Sequence, residues 1–344
     1  MLAVRPIIKA DLDVLYTLSG MAQAGLTSLP QDRDVLRKKI HQSERTFEEL
    51  PEKPGEEVYL FVAEDTGSGK VVGTTAIYAK VGGYQPFYTY KIRTVTNTSK
   101  ALKVKVAIQH LELIMDHNGP SEIGTLFLSP EYRKNDNGRL LSVSRFLFMA
   151  EYPQCFEEDV IAEMRGVIDD NDRSPFWEAL GKYFFAVEFK NADMMTLRDK
   201  SFIAELMPKN PIYVPLLPKE AQDVIGKVHP STEPALHILQ REGFVYDGEI
   251  DIFEAGPLVR VKRDAIRAVR ESQAAQIAEV VDESIQDGPA MVIANTNSFQ
   301  SFRAVIGKVR KNAKGVVLSR PTAEALKMEA GGRVRFVALK PSGS

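Results

Sequence analysis

The stretch "LSPEYRKNDNGRLLSVSRFLF", residues 128–148, leaves an apolar run at Ser129 and Pro130, crosses a charged turn, and enters a helical pattern at Gly138. Before it, "EIGTLFLSP" reads as a buried strand, and Pro130 marks its end because proline cannot donate to a strand ladder. After it, Leu140, Leu141, Val143, Phe146 and Phe148 recur at helical spacing. The reading is strand, turn, helix. The first turn of such a helix leaves backbone N–H groups without an intrahelical acceptor, and those groups attract phosphate oxygens.

Outward from that unit the chain alternates. "LAVRPI" reads as a strand, and "KADLDVLYTLSG" as a helix behind Asp11 as its cap. Residues 31–50 form a charged amphipathic helix, "EVYLFVAEDTGSGKVVGTTAIYAKV" a hairpin over a Gly/Ser turn, and "GGYQPFYTYKI" an irregular aromatic stretch. Downstream, "DVIAEMRGVID" reads as a strand and "SPFWEALGKYFF" as a short helix that runs into another extended segment. "EPALHILQREGFVYDGEIDIFEAGPLVRV" echoes that order of helix, aromatic and strand, as a partial second repeat would. From about Arg260 the runs "MVIANTN", "FRAVIGKV", "GVVLSR" and "RVRFVALK" give a small β-rich module.

The expected fold class is therefore α+β. Three segments divide it: residues 1–190, residues 191–258 with the "GKVHPS" motif, and the β-rich module over residues 259–344.

Composition narrows the function. The chain has 344 residues, 44% hydrophobic and 26% charged, with 44 basic against 46 acidic side chains. That length allows two or three domains and a core that needs no disulfide. The near balance of charge lacks the basic footprint of a nucleic-acid binder. A single cysteine, Cys155, rules out an internal disulfide, and the absence of zinc-type Cys/His spacing argues against a structural metal. The N-terminal stretch is broken by polar residues too often for a secretory h-region or a membrane span, so a cytoplasmic location and no membrane partner are expected.

A hairpin, a strand ending in proline, and Arg133-x-x-x-x-Gly138 opening a helix resemble the acyl-CoA site of the GNAT N-acetyltransferase superfamily, although Asp136 stands where that motif has its first glycine. A longer similarity runs through "GLTSLP" (25–30), "LFLSPEYRK" (126–134), "GRLLSVSRFLFMAE" (138–151), "VIAEMRGVID" (160–169), "SPFWEALGKYFF" (174–185), "FIAELMPKNPIY" (202–213), "AQDVIGKVHP" (221–230) and "EGFVYDGEIDIFEAGP" (242–257). In this order they resemble the arginine N-succinyltransferase family.

That resemblance implies a GNAT-like mixed, mostly antiparallel sheet flanked by helices. It implies transfer of succinyl from succinyl-CoA, a co-substrate rather than a permanently bound cofactor, to the α-amine of L-arginine in arginine catabolism. It makes His229 the proton donor and Leu126 a contact of succinyl-CoA, and it admits a homo-oligomer or a heteromer with a paralogous subunit. Three other readings remain: a succinyltransferase acting on ornithine, an acetyltransferase, and a non-catalytic acyl-CoA-binding subunit.

The chemistry is consistent with these residues. An amine attacking a thioester must be neutral, the tetrahedral oxyanion must be stabilised, and the thiolate leaves more readily when protonated. An imidazole suits that proton transfer; read without the resemblance, His229 equally serves as a turn residue before Pro230. The turn from Arg133 to Gly138 would offer backbone N–H groups to the pyrophosphate, with Arg133, Lys134 and Arg139 either meeting phosphates or simply solvated. Leucine has no polar side-chain atom, so a contact at Leu126 is apolar or made by backbone. Glu163 and Arg165, two apart in "VIAEMRGVID", share one strand face either beside the cleft or as a cross-strand pair. "GLTSLP" is either a substrate-side loop or a helix terminator.

The other histidines are read as structural: His41 on the charged helix, His110 and His237 at helical positions, His117 in the "MDHNGP" turn. Cys155 lacks a nucleophile signature and is assigned no role.

Overall fold

The computed structural model describes residues 1–22, 26–83, 86–116, 118–169, 171, 173–197 and 199–341. Its N-terminal half contains β1 (Leu2–Pro6), α1 (Leu12–Met21), α2 (Arg33–Glu48), β2 (Val58–Asp65), β3 (Val71–Tyr78), β4 (Phe87–Ser99), β5 (Val104–Asp116), β6 (Ser121–Leu128), α3 (Asn137–Glu151) and β7 (Asp159–Glu163). Five short helices follow: α4 (Pro175–Ala179), α5 (Gly181–Phe185), α6 (Phe189–Met195), α7 (Ser201–Leu206) and, after strand β8 (Ile212–Tyr213), α8 (Lys219–Val224). Then come α9 (Glu233–Arg241), β9 (Val245–Ile250), β10 (Pro257–Lys262), α10 (Arg267–Glu271), β11 (Gln273–Val281), β12 (Met291–Asn295), β13 (Ala304–Gly307), β14 (Arg310–Asn312), β15 (Gly315–Ser319), α11 (Arg320–Leu326) and β16 (Arg333–Ala338).

Among the described residues the strands join in one sheet, ordered β14-β15-β11-β16-β12-β13-β1-β2-β3-β6-β7-β10-β9-β4-β5-β8. Only β6–β7 and β11–β15 are parallel; every other pair is antiparallel. The α+β class with a mostly antiparallel mixed sheet is thus the observed architecture.

Strand alternation divides the layers. Tyr59, Phe61 and Ala63 of β2 join the core built on α3, whereas Leu60 and Val62 join the core under α1 and α2. Helix α3 is buried along almost its whole length, and Phe148 stacks edge-on against Phe61 at 5.2 Å. Aromatic contacts of this kind add about 0.5–1.5 kcal/mol to the burial itself. The C-terminal strands complete the α3 core: Val292, Ala294, Phe302, Ala304 and Val337 pack in the same cluster as Leu140, Phe146 and Phe148. Arg333 and Arg335 both pair with Glu151 at the end of α3. A second core, around Trp177, Phe185 and Phe253, lies beneath the short helices.

Several expectations are corrected. From Phe87 onward the aromatic stretch is the start of β4, which pairs with β5 along its whole length, Phe87 to Asp116 through Ser99 to Val104. His110 therefore stands on a strand, not a helix. The segment after "SPFWEALGKYFF" is helical over Phe189–Met195 instead of extended, and β7 ends at Glu163, so Arg165 lies beyond the strand. Asp11 does occupy the cap position of α1, but its carboxylate accepts from Arg5 and from the Ile8 N–H rather than capping the helix. His41 and His237 lie on helices, as the sequence predicts. His117 and Gly25 fall outside the described residues. No described helix is long and apolar enough to cross a membrane.

Candidate active site

The site begins where two parallel strands part. β6 and β7 are paired only at Ser121–Val160 and Glu122–Ile161. On its other edge β6 pairs with β3, and there Thr125 and Leu126 together stand opposite the single residue Thr75. Thr125 takes φ 53°, the local price of the extra residue in this bulge. A bulge bends its strand, so β6 turns away from β7 and leaves the edge of residues 123–128 facing β7 without a strand partner among the described residues. Such an edge can pair with an extended ligand. Leu126 sits in the bulge itself, half-buried, with its side chain packed against the α3 core.

At the end of β6 the turn leads into α3. Asn135 and Asp136 are consecutive left-handed residues, φ 54° and 57°. Asp136, standing where the GNAT motif has a glycine, thus supplies the backbone conformation that glycine would, as Asn and Asp do more readily than other side chains. The N–H groups of Asn137 and Leu140 are taken by Lys134 and Asp136 carbonyls, while those of Gly138 and Arg139 have no acceptor among the described residues. A Cβ at Gly138 would meet nothing within 4 Å, so the space over these amides is open.

Arg133 is turned back toward the protein. Its Nε donates to the Leu128 carbonyl at 2.9 Å and its guanidinium lies 5.7 Å from the Phe127 ring centre, which ties the turn to the strand. Arg139 is the buried cation of the first helical turn, and its Nε and Nη1 have no hydrogen-bond partner among the described residues. Burial lowers its pKa, partly offset by Asp136, whose other oxygen is 3.0 Å from Lys340.

β7 runs on from the split into the wall of a cavity. Thr27, Glu163, Met164, Arg165, Phe189, Asp193, Asp251, Phe253 and Glu254 line it. Two glycines make the wall: a Cβ at Gly166 would stand 2.4 Å from the Glu254 carbonyl oxygen, and one at Gly256 would stand 2.1 Å from that of Met164. This close approach lets the Gly166 N–H donate to Glu254 Oε1 at 2.6 Å. Asp251 Oδ1 accepts from the N–H groups of Phe253 and Glu254, both at 2.7 Å, and so shapes the turn that delivers them.

Four carboxylates in one cavity are costly. Desolvation pushes Glu254 and Glu163 well above the usual carboxylate range; neighbouring Asp251 adds to it for Glu254, and Glu122 with Asp251 for Glu163. Asp193 is pushed up to about 7, by desolvation and then by Asp251. Glu163 stands at the mouth of the cavity, where it reaches solvent. Beside the cavity Glu122 is also raised to about 7 by desolvation, against the opposing charges of Lys200 and Lys39.

His229 joins this wall through the backbone. Its N–H donates to the Arg165 carbonyl at 2.8 Å, its Nδ1 lies 2.7 Å from Ser231 Oγ, and the Ser231 N–H donates to the same nitrogen at 3.2 Å. Desolvation, then the Arg165 charge, lowers its pKa below 6.5. The ring is consequently neutral near pH 7. Cys155 is buried away from the site, with its thiol pushed up to about 11 by burial, which leaves no reactive thiolate.

The structure thus brings Glu163, Arg165 and Thr27 of "GLTSLP" to one cavity and hangs His229 on its rim. Leu126 and Gly138 lie along the split strands and the helix N-terminus. Asp193, Asp251, Glu254 and Ser231 went unrecognised in the sequence. The signal for Glu254 was the pair of glycines, Gly166 and Gly256, whose contact only the fold reveals.

A mostly antiparallel mixed sheet whose parallel strands β6 and β7 part beside open helix amides is the GNAT-like architecture of an acyltransferase. Residues 2–268 match the family described as arginine N-succinyltransferase beta subunit, and residues 274–338 its C-terminal domain. The chain belongs to that family. It is 44% identical over 341 residues, 98% of either chain, to the arginine N-succinyltransferase of Escherichia coli O139:H28, and 44% identical over the same span to that of Shigella flexneri. In structure it superimposes on arginine/ornithine succinyltransferase subunit AI from Pseudomonas aeruginosa with a TM-score of 0.89 at 36% identity, covering 99% of both chains.

Proposed function

We propose that this chain transfers the succinyl group of succinyl-CoA to the α-amine of L-arginine, giving N-succinylarginine and CoA, in the catabolism of arginine. The observation that carries the reading is the continuity of β7: the strand that parts from β6 continues into the carboxylate-lined wall and, at Arg165, holds His229. Proton carrier and pocket for a cationic amino acid therefore lie on the extension of β7, next to the parted edge of β6 that takes the acyl-CoA.

The pantetheine arm lies along the free edge of β6 as an added strand, with Leu126 contacting it through backbone and methyl groups. The Gly138 and Arg139 amides bind the pyrophosphate, Arg139 adds its guanidinium, whose Nε and Nη1 lack hydrogen-bond partners among the described residues, and Arg133 fixes the turn to β6. In the tautomer that gives up the 3.2 Å bond from the Ser231 N–H, Nδ1–H donates to Ser231 Oγ and Nε2 is left as the base. It takes the proton of the attacking amine as the N–C bond forms. The tetrahedral oxyanion then collapses, the C–S bond breaks, and the imidazolium returns the proton to the CoA sulfur. No covalent enzyme intermediate is needed. The segments 1–190 and 191–258 supply the CoA side and the His229 side; the module 259–344 buttresses α3. The protein acts in the cytoplasm, as a homo-oligomer or with a paralogous subunit.

The test is CoA thiol release by the purified chain alone, with succinyl-CoA and L-arginine. Turnover with arginine well above that with ornithine, and with succinyl-CoA well above acetyl-CoA, is expected; an unpaired donor for the missing carboxylate costs about 1–3 kcal/mol. Equal rates with both thioesters would support an acetyltransferase instead, and binding without turnover a non-catalytic subunit.

A further inference from the structure

We propose that Asp193 and Glu254, with Glu163 at the mouth, form the subsite for the cationic side chain of the acceptor and set its specificity. The proposal rests on the acyl transfer above and assigns the residues that choose its amine substrate.

The cavity wall carries four carboxylates against one basic residue, Arg165, among the described residues. Glu254 is the decisive member. It is 7% exposed, its Oε1 is held by the Gly166 N–H, and its Oε2 has no hydrogen-bond partner among the described residues although it lines the cavity. A buried carboxylate oxygen with nothing to accept from is a cost that a ligand N–H can remove. Asp251 is different, because its Oδ1 is used by the turn at Phe253 and Glu254.

The chemistry of the ligand follows from the wall. No three His, Cys, Asp or Glu among the described residues are gathered closely enough to hold one metal ion, so the carboxylates suit a cation of larger extent. Phe189, Phe253 and Met164 complete the lining. Aromatic faces beside carboxylates match a planar guanidinium on an aliphatic stem, which stacks through its face and donates through its edge. A single ammonium would satisfy fewer of these acceptors.

Calorimetry on the full chain with L-arginine, and with L-citrulline as the neutral isostere, tests the subsite without requiring turnover. Wild-type protein should bind arginine and not citrulline. Glu254→Gln, which keeps an acceptor for Gly166, and Asp193→Asn should each weaken arginine about 10- to 100-fold, with CoA affinity unchanged. In turnover the same loss should appear in KM for arginine, with the arginine-to-citrulline preference falling in step. A purely structural role would not move that ratio. If Glu254→Gln fails to fold, Asp193→Asn alone decides. Unchanged arginine affinity and preference in folded variants would overturn the subsite while leaving the transferase intact. Arginine binding that follows these carboxylates in a chain without acyl transfer would instead uphold the subsite and remove the proposed reaction.

Discussion

The amide nitrogen of His229 lies 2.8 Å from the carbonyl oxygen of Arg165, so the histidine is fixed to the extension of β7 rather than to its own loop alone. That bond places a neutral imidazole beside the cavity proposed to hold the amine, and the Arg165 charge helps keep it neutral. The arrangement determines how activity should respond to pH, to packing and to substitution.

Below neutrality kcat should fall along a limb whose midpoint lies under the ordinary imidazole value of about 6.5. The sign follows from the lowered pKa: the base form of His229 is present above that pKa and is lost as pH falls through it. Arginine binding has its own limb. A guanidinium favours ionised carboxylates, and Asp193 is held protonated up to about 7, so KM for arginine should rise as pH drops through that value while KM for succinyl-CoA stays level. Steady-state profiles from about pH 5.5 to 8.5 separate the two, because one lies in kcat and the other in KM.

Replacing Gly138 by valine tests the phosphate cradle. The added Cβ meets no protein atom within 4 Å, so folding should survive, at the modest cost of a β-branched residue in a first helical turn. Affinity for CoA and succinyl-CoA should drop alike, by about tenfold or more, because both present the same pyrophosphate to the Gly138 and Arg139 amides. Titration calorimetry with free CoA reads this directly; unaltered binding in a folded variant would remove the turn from the cofactor site.

Gly166→Ala should damage the amine pocket through packing. Its Cβ would stand 2.4 Å from the Glu254 carbonyl oxygen and 2.8 Å from the Gly256 nitrogen, distances that only backbone movement can relieve. Overpacking of this kind costs about 1–3 kcal/mol, seen as a lower denaturation midpoint. The displaced Glu254 should also raise KM for arginine more than KM for succinyl-CoA. Full stability with unchanged kinetics would mean that the contact between the two glycine segments does not shape the pocket.

Much of the fold was legible where an element is deeply buried. β2, β3 and α3 are buried on both faces, so they stand out in the sequence as near-continuous apolar runs bounded by turn residues. β4 and β5 were missed because beyond Tyr90–Lys91 and His110–Leu111 they pair mainly with each other, leaving Val95, Val104 and Val106 exposed and the apolar contrast weak. His110 read as helical for the same reason. The strand–turn–helix was recognisable from Pro130 and Gly138, and Asp136 proved to hold a left-handed backbone where the motif has a glycine. The carboxylate cavity was not. Its residues come from a loop, the end of β7, α6 and the β9–β10 turn, and no spacing in the chain encodes that convergence.

The most direct measurement is the turnover number of His229→Ala under saturating succinyl-CoA and arginine. The substitution removes the proton carrier but leaves the helix amides, the free edge of β6 and the carboxylate pocket in place. General acid–base catalysis contributes about 10²–10⁴ in rate, so kcat should fall by that order with both KM values nearly unmoved and the acid limb in kcat absent. Near-normal kcat in a folded His229→Ala protein would contradict the account.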